Sequence, residues 1–499
     1  MSLSVASILA ESALRHPGRT AVVFGADRIS FADLWLQARS YGALFRRLGV
    51  EPGDRVALLL LNTPDFPRAY YGALAVGAVV VPVHALLTAH EIAFVLRDSG
   101  AKVLVCADAL SGNGRAAAAE AGVTFVEARV PDDAPCPDIV QRSAGDDAVV
   151  LYTSGTTGAP KGAVLTQSNI LLNATIAAHD LFSVTCEDIF LAALPLFHAF
   201  GQTCVMNTAF RVGASIVLMQ RFDGEAALAL MLEHNVTIFE GVPTMYIALL
   251  DAAKKHVGRP PLRLCAAGGA SLPVVVLERF EAQFDVAILE GYGLSETSPV
   301  ASFNQLDLGR KPGTVGCGIW GVDLAVADSN VDDRIAFLPQ GELGEIVIRG
   351  HCVFRGYLNN PAATAAAIVD GWFRSGDLGT ADADGFITIV DRKKDMILRG
   401  GFNVYPREVE EVLMRHPGVK AVAVIGVPHE THGEEVVAVV IRDDATEAVE
   451  ATALIEWSQG FLAKYKYPRT IHFVEAMPLG PSGKVLKRTL REQLLSTTG

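Results

Sequence analysis

A chain of 499 residues exceeds what one hydrophobic core serves, so at least two domains are expected. Half of it is hydrophobic and only 19% charged, a balance that excludes a disordered chain. The net charge of −13 argues against nucleic acid as a partner, and seven cysteines without a C-x-x-C pair argue against a disulfide framework or zinc site. Such cysteine usage fits a reducing, cytoplasmic setting. Residues Met1 to Ala10 lack the basic start of a signal peptide.

Along the chain, Phe31, Leu34, Trp35, Ala38, Tyr41, Leu44 and Phe45 recur at helical spacing, with Asp33 in the first turn. Pro52-Gly53-Asp54 turns into an apolar strand from Arg55. Helix and strand patterns then alternate over 66–76, 78–83, 91–99 and 103–106, which predicts parallel strands with helices on both faces. The segment Ala69 to Val83 is the most membrane-like. It is shorter than the ~20 residues of a spanning helix and is interrupted by Gly72, Gly77 and Pro82, so a buried helix running into a strand is expected. His84 and His90 have no partner at metal spacing and read as packing or surface histidines.

The apolar run Asp147 to Leu151 leads into Tyr152-Thr153-Ser154-Gly155-Thr156-Thr157-Gly158-Ala159-Pro160-Lys161-Gly162. Small and hydroxylated residues leave backbone N–H groups free to cradle an anion, with the charge of Lys161 beside them. A Walker loop is excluded, because Lys161 is preceded by Pro160 and followed by Gly162. A helix is expected over 167–178, then a strand ending in the loop Phe197-His198-Ala199-Phe200-Gly201. A helix follows Arg221-Phe222-Asp223, and a strand covers Val236 to Glu240. Two strand ends come next: Ala267-Gly268-Gly269-Ala270, and Gly291-Tyr292-Gly293-Leu294-Ser295-Glu296. Flanking glycines leave the Tyr292 ring accessible, and Glu296 offers a hard oxygen ligand. Short alternating strands over 313–350 predict a β-rich subdomain. The charge run Asp391-Arg392-Lys393-Lys394-Asp395 separates apolar stretches, and beyond it lies a compact α+β unit. Its last turn, Leu479-Gly480-Pro481-Ser482-Gly483-Lys484, carries an exposed lysine at its tip.

These motifs, in this order over nearly the whole chain, resemble those of the adenylate-forming enzymes: acyl-CoA synthetases, luciferases and peptide-synthetase adenylation domains. Ser295 replaces the threonine usual there. The resemblance implies an α/β fold, with a large N-terminal domain of parallel-rich sheets packed with helices, plus a β-rich subdomain and a small mobile α+β C-terminal domain. The expected division is 1–391, a hinge over 392–396 with Lys394 at the pivot, and 397–499. It also implies ATP contacts from Thr153, Ser154, Gly155, Thr156, Thr157, Gly158, Lys161, Gly269, Ala270, Gly291, Tyr292, Gly293, Ser295, Asp377, Arg392 and Lys484. Mg²⁺ would be held at Thr153 and Glu296. Lys484, Glu296 and His198 are the expected catalytic residues, His198 orienting the substrate instead of acting as a base. Phe197, His198, Phe200, Gly291 and Val300 would border the acyl group. Arg221, Gly400 and Gly401 would line the path of coenzyme A.

The implied activity is an acid–CoA ligase working through acyl-AMP, with ATP, Mg²⁺ and coenzyme A. The fragments 389–397 and 405–412 resemble bacterial medium- or long-chain fatty acid synthetases. Aryl acids of the hydroxycinnamate or benzoate type are the runner-up substrates, and loading of a carrier protein is third. A nucleotide-binding protein without catalysis is the rival of another class. The joint presence of Lys161, Glu296, Asp377, Arg392 and Lys484 speaks against it. Peripheral membrane contact and a homodimer are left open.

Overall fold

The computed structural model describes the chain except for residues 1–3, 137–138, 154–159, 257, 444–445, 447, 481–482 and 498–499. Among the described residues, two large sheets, one of nine strands and one of seven, form the body of the N-terminal domain. The middle of each is parallel. In the larger sheet, Ile238–Gly241 lies between Ile189–Ala192 and Leu264–Ala267, followed by Ile288–Gly293, all parallel. In the smaller, Arg55–Leu59 pairs in parallel with Val79–Pro82 and Ala101–Cys106. The antiparallel pairs occur toward the margins of these sheets, where Lys161–Thr166 folds back on Asp147–Thr153 and Val300–Phe303 on Ile288–Gly293. The strand Lys161–Thr166 is absent from the sequence reading, which passes from the glycine-rich loop straight to the next helix.

Local signals account for most of the helices. Phe31–Arg47 is capped by Ser30, whose side chain accepts the Asp33 N–H, and buries Phe31, Leu34, Ala38, Tyr41, Leu44 and Phe45 on one face. The segment 69–83 folds as a helix, Asp65–Ala75, followed by the strand Val79–Pro82, both inside the core. Among the described residues no helix is long and apolar enough to cross a membrane. The stretch after Phe197 departs from the expected loop. From Phe200 to Asn207 it is a wide-turned π-helix, and all but Phe200 of that segment is buried.

A third, antiparallel sheet contains Val322–Ala327, Gly344–Gly350, Trp372–Ala381 and Ile387–Arg392. The chain leaves it at Arg392 and joins a fourth sheet at Ile397. That last sheet is built on the long hairpin Val419–His429 and Gly433–Arg442, with the helix Pro406–Met414 packed against it. Pro406 occupies the first turn of that helix, where its missing N–H costs nothing. The smaller lobe touches the larger through Lys420–Asp251 (2.5 Å) and through Thr244 Oγ1, which donates to the carbonyl of Gly483 at 2.9 Å.

Candidate active site

The strand Ile288–Gly293 ends in the turn Ser295–Thr297, which Thr297 tightens by donating its hydroxyl to the Pro299 carbonyl at 2.6 Å. This turn holds Tyr292 and Glu296 in different directions. The Tyr292 hydroxyl donates to Asp377 Oδ2 at 2.7 Å. Asp377 and Arg392 are direct partners on antiparallel strands, and the Arg392 guanidinium lies 3.5 Å from Asp377 Oδ1. Cross-strand pairing thus places Asp377 beside Arg392, and a side-chain hydrogen bond from another sheet adds Tyr292.

Glu296 is buried and accepts from the Tyr357 hydroxyl at 2.9 Å and from Thr153 Oγ1 at 3.5 Å. Burial pushes its carboxyl above the ordinary range, against the lowering effect of those bonds. Lys161 stands with its ammonium 5.3 Å from the centre of the Tyr357 ring. The last described residues on either side of the glycine-rich loop, Thr153 and Pro160–Lys161, therefore bracket it beside Glu296. Ser154, Gly155, Thr156, Thr157 and Gly158 lie outside the described residues.

Lys484 comes from the smaller lobe. The turn that carries it closes through the Gly480 N–H donating to the Lys484 carbonyl at 2.7 Å. Its side chain lies against Gly269, where an added Cβ would meet Lys484 Cε at 2.9 Å. Gly269 also has φ +78°, a left-handed conformation that favours glycine. Burial first, and then the Arg392 charge, lowers the Lys484 ammonium to about 8, with Asp377 opposing both. His198 is drawn down to about 3, first by burial and then by the charge of Lys484. It is neutral at physiological pH.

The rings of Phe197 and His198 pack on His84, at 5.0 and 6.2 Å between centroids. Phe200 sits 3.2 Å from the position a Cβ on Gly268 would take, and Gly291 is closed to side chains by the Phe303 ring. Val300 is buried and exchanges backbone hydrogen bonds with the Asn173 amide. Ala270 is exposed beside Gly269, and Ser295 begins the turn above. The structure does not bring Gly400 and Gly401 into this cluster. They form an exposed turn at φ +58° and +84°, and among the described residues an added Cβ would have only the His432 ring within 4 Å, at 3.8 Å for Gly400. Arg221 is exposed on the turn before the helix Gly224–Glu233, and Lys394 is exposed in the turn between the third and fourth sheets. Sequence reasoning missed two neighbours of the site. His84 has no motif, and Tyr357 lies in a two-residue strand whose only signal is its pairing with Ala163.

The family model for AMP-binding enzymes matches residues 9–358, and that for the AMP-binding enzyme C-terminal domain matches 408–484. A long-chain-fatty-acid–CoA ligase of Bacillus subtilis (strain 168) is 35% identical over 533 residues, 98% of this chain and 94% of its own. A feruloyl-CoA synthase of an Amycolatopsis species is 36% identical over 487 residues, 96% of each chain. ATP-bound MatB from Rhodopseudomonas palustris superposes with a TM-score of 0.92 at 32% identity, over the whole of both chains. Its apo form gives 0.81 at the same identity and coverage. With both of its parts matched and its motifs gathered around one site, the chain belongs to the AMP-binding enzymes.

Proposed function

We propose that the chain is an ATP-dependent acid–CoA ligase acting on medium- to long-chain fatty acids. The observation that carries this reading is Lys484 of the smaller lobe lying on Gly269 within reach of Asp377 and Arg392 of the larger one. In the first step a carboxylate oxygen attacks the α-phosphorus of ATP, and the bond to pyrophosphate breaks. Lys484 and Lys161 offset the charge that gathers between carboxylate and phosphates. Asp377 and Arg392 would hold the ribose, with the Tyr292 ring against adenine. Neutral His198, flanked by Phe197, orients the acid. In the second step the thiol of coenzyme A attacks the acyl carbon and AMP leaves.

Glu296 and Thr153 fit Mg²⁺, which is typically bound by one or two carboxylates, water and substrate phosphates. Among the described residues there is no cluster of three His, Cys, Asp or Glu that could hold a metal by itself, so phosphate oxygens would complete the shell. The ion would draw charge from the phosphates. For the second step we propose a rotation about residues 392–396, with Lys394 at the pivot. That rotation would withdraw Lys484 and bring the Gly400–Gly401 turn to the thiol path, which Arg221 of the larger lobe would also line.

An apolar lining at Phe197, Phe200 and Val300 supports an alkyl tail. The likeness to a feruloyl-CoA synthase favours an aryl acid as the second reading. Pyrophosphate exchange over acetate, hexanoate, palmitate, malonate and cinnamate decides between them. Exchange with hexanoate or palmitate is expected, and exchange with malonate or cinnamate alone overturns the alkyl assignment.

The Lys484 ammonium adds a pH signature. Its charged form is required, and its pKa in the free enzyme is lowered to about 8. The kcat/KM for ATP should therefore fall as pH rises through about 8, because that ratio reports the free enzyme. Lys484→Arg keeps its charge and should lose this alkaline limb. His198, titrating at about 3, contributes no limb near neutrality.

A further inference from the structure

The strand Ile238–Gly241 carries a group that the chemistry above does not use. Glu240 is 1% exposed, and neither carboxyl oxygen has a hydrogen-bond partner among the described residues. Burial pushes its pKa well above the ordinary value, so it is an uncharged acid with both a donor and an acceptor unpaired. Native interiors rarely leave such a group orphaned, because it forfeits its hydration for nothing.

Its direction follows from the pleat. Phe239 packs on the Tyr246 ring, and a Cβ on Gly241 would meet those same two rings. Side chains alternate along a strand, so Glu240 points to the opposite face. There it is paired in register with Ala266, two residues before Gly268. The Cβ direction of Gly268 runs into the Phe200 ring. Glu240 therefore shares a face with Gly268 and Phe200, set about 7 Å farther along the sheet from the end that bears Gly269 and Lys484. The helix Phe200–Asn207 covers this face, and the thiol of Cys204 lies close enough to Glu240 that ionising that carboxyl would raise the thiol's pKa. Thr203, beside Cys204, carries a buried hydroxyl that also has no partner among the described residues.

We propose that Glu240 is a specificity-determining residue that hydrogen-bonds a neutral hydroxyl on the acyl group, several bonds from the reacting carboxylate. The preferred acids then carry a hydroxyl, either at the far end of an alkyl chain or on an aromatic ring. An amine is the wrong match. It would enter as a cation and force a charged pair into apolar surroundings. This inference rests on the acid-activating reading above and narrows its substrate class.

The test measures kcat/KM in pyrophosphate exchange for matched pairs: hexanoate with 6-hydroxyhexanoate, and cinnamate with 4-hydroxycinnamate, with 6-aminohexanoate as a fifth acid. The native chain should prefer the hydroxylated member of at least one pair by about tenfold or more, and which pair responds identifies alkyl or aryl. Glu240→Leu should abolish that preference, and Glu240→Gln, which still donates and accepts, should keep most of it. A purely structural glutamate would leave the ratios unmoved and make Glu240→Leu melt lower. An orphaned one makes it melt higher. Equal ratios in native chain and Glu240→Leu, or a preference for the amine, overturns the assignment. Exchange with none of the five acids removes the ligase reading itself.

Discussion

Lys484→Ala is expected to lower acyl-AMP formation from acid and ATP by about a thousandfold, the upper end of what one lost oxyanion-stabilising group removes. The reason lies in the placement of its ammonium. It rests on Gly269 between His198 and the Asp377–Arg392 pair, partly dehydrated, where a charge acts with little screening. The same variant should convert synthetic acyl-AMP and coenzyme A to thioester at close to the native rate, since under the proposed rotation that step would proceed with Lys484 withdrawn. Rapid-quench measurement of each half-reaction separates the two. Equal survival of both would remove Lys484 from the mechanism. Equal loss of both would show that the substitution damages the interface around Thr244 and Gly483.

Gly293→Ala is the second large effect, and its origin is steric. A Cβ at residue 293 would lie 1.7 Å from the Pro299 carbonyl oxygen and 2.9 Å from Thr297 Oγ1. Those are the atoms that tighten the turn 295–297, so no small adjustment of a flexible side chain relieves the overlap. The turn must open, and with it the positions of Tyr292 and Glu296. A loss of about 3 kcal/mol of stability is expected, together with the loss of ATP binding, read by thermal melting with and without nucleotide. Gly371→Ala is the matching control. That glycine has φ +79° and open space around its Cβ direction, so only the left-handed penalty of about 1 kcal/mol applies. Gly371→Ala should bind ATP normally. If Gly293→Ala melted and bound like Gly371→Ala, the turn would not be the rigid support described here.

How much of this was legible in the residues depends on the range over which each cause acts. The helix Phe31–Arg47 follows from a spacing within one stretch, which the sequence reading has from Phe31 to Phe45, and its Ser30 cap is a finding of the structure with an equally local cause. Pro406 at the start of Pro406–Met414 is a local cause of the same kind. The sequence reading has 197–201 as a loop, but from Phe200 the chain is helical. Glycine and aromatics usually punctuate, and what holds Phe200–Asn207 is burial, with Gln202 reaching the Leu196 carbonyl and Thr208 that of Thr203. None of those partners is visible in a short window.

By itself the sequence determined the family chemistry: a hydroxyl- and glycine-rich loop with Lys161, the Tyr292–Glu296 turn, Asp377, Arg392 and a lysine near the end of the chain. Chain order carries those residue types, and their chemistry does not depend on distance. Only the tertiary structure decided which of them meet. Strand register sets Asp377 opposite Arg392, lobe packing lays Lys484 on Gly269, and Tyr357 joins Glu296 to the base of the loop. It alone left Glu240 without a partner among the described residues, because whether a polar group is satisfied depends on everything folded around it.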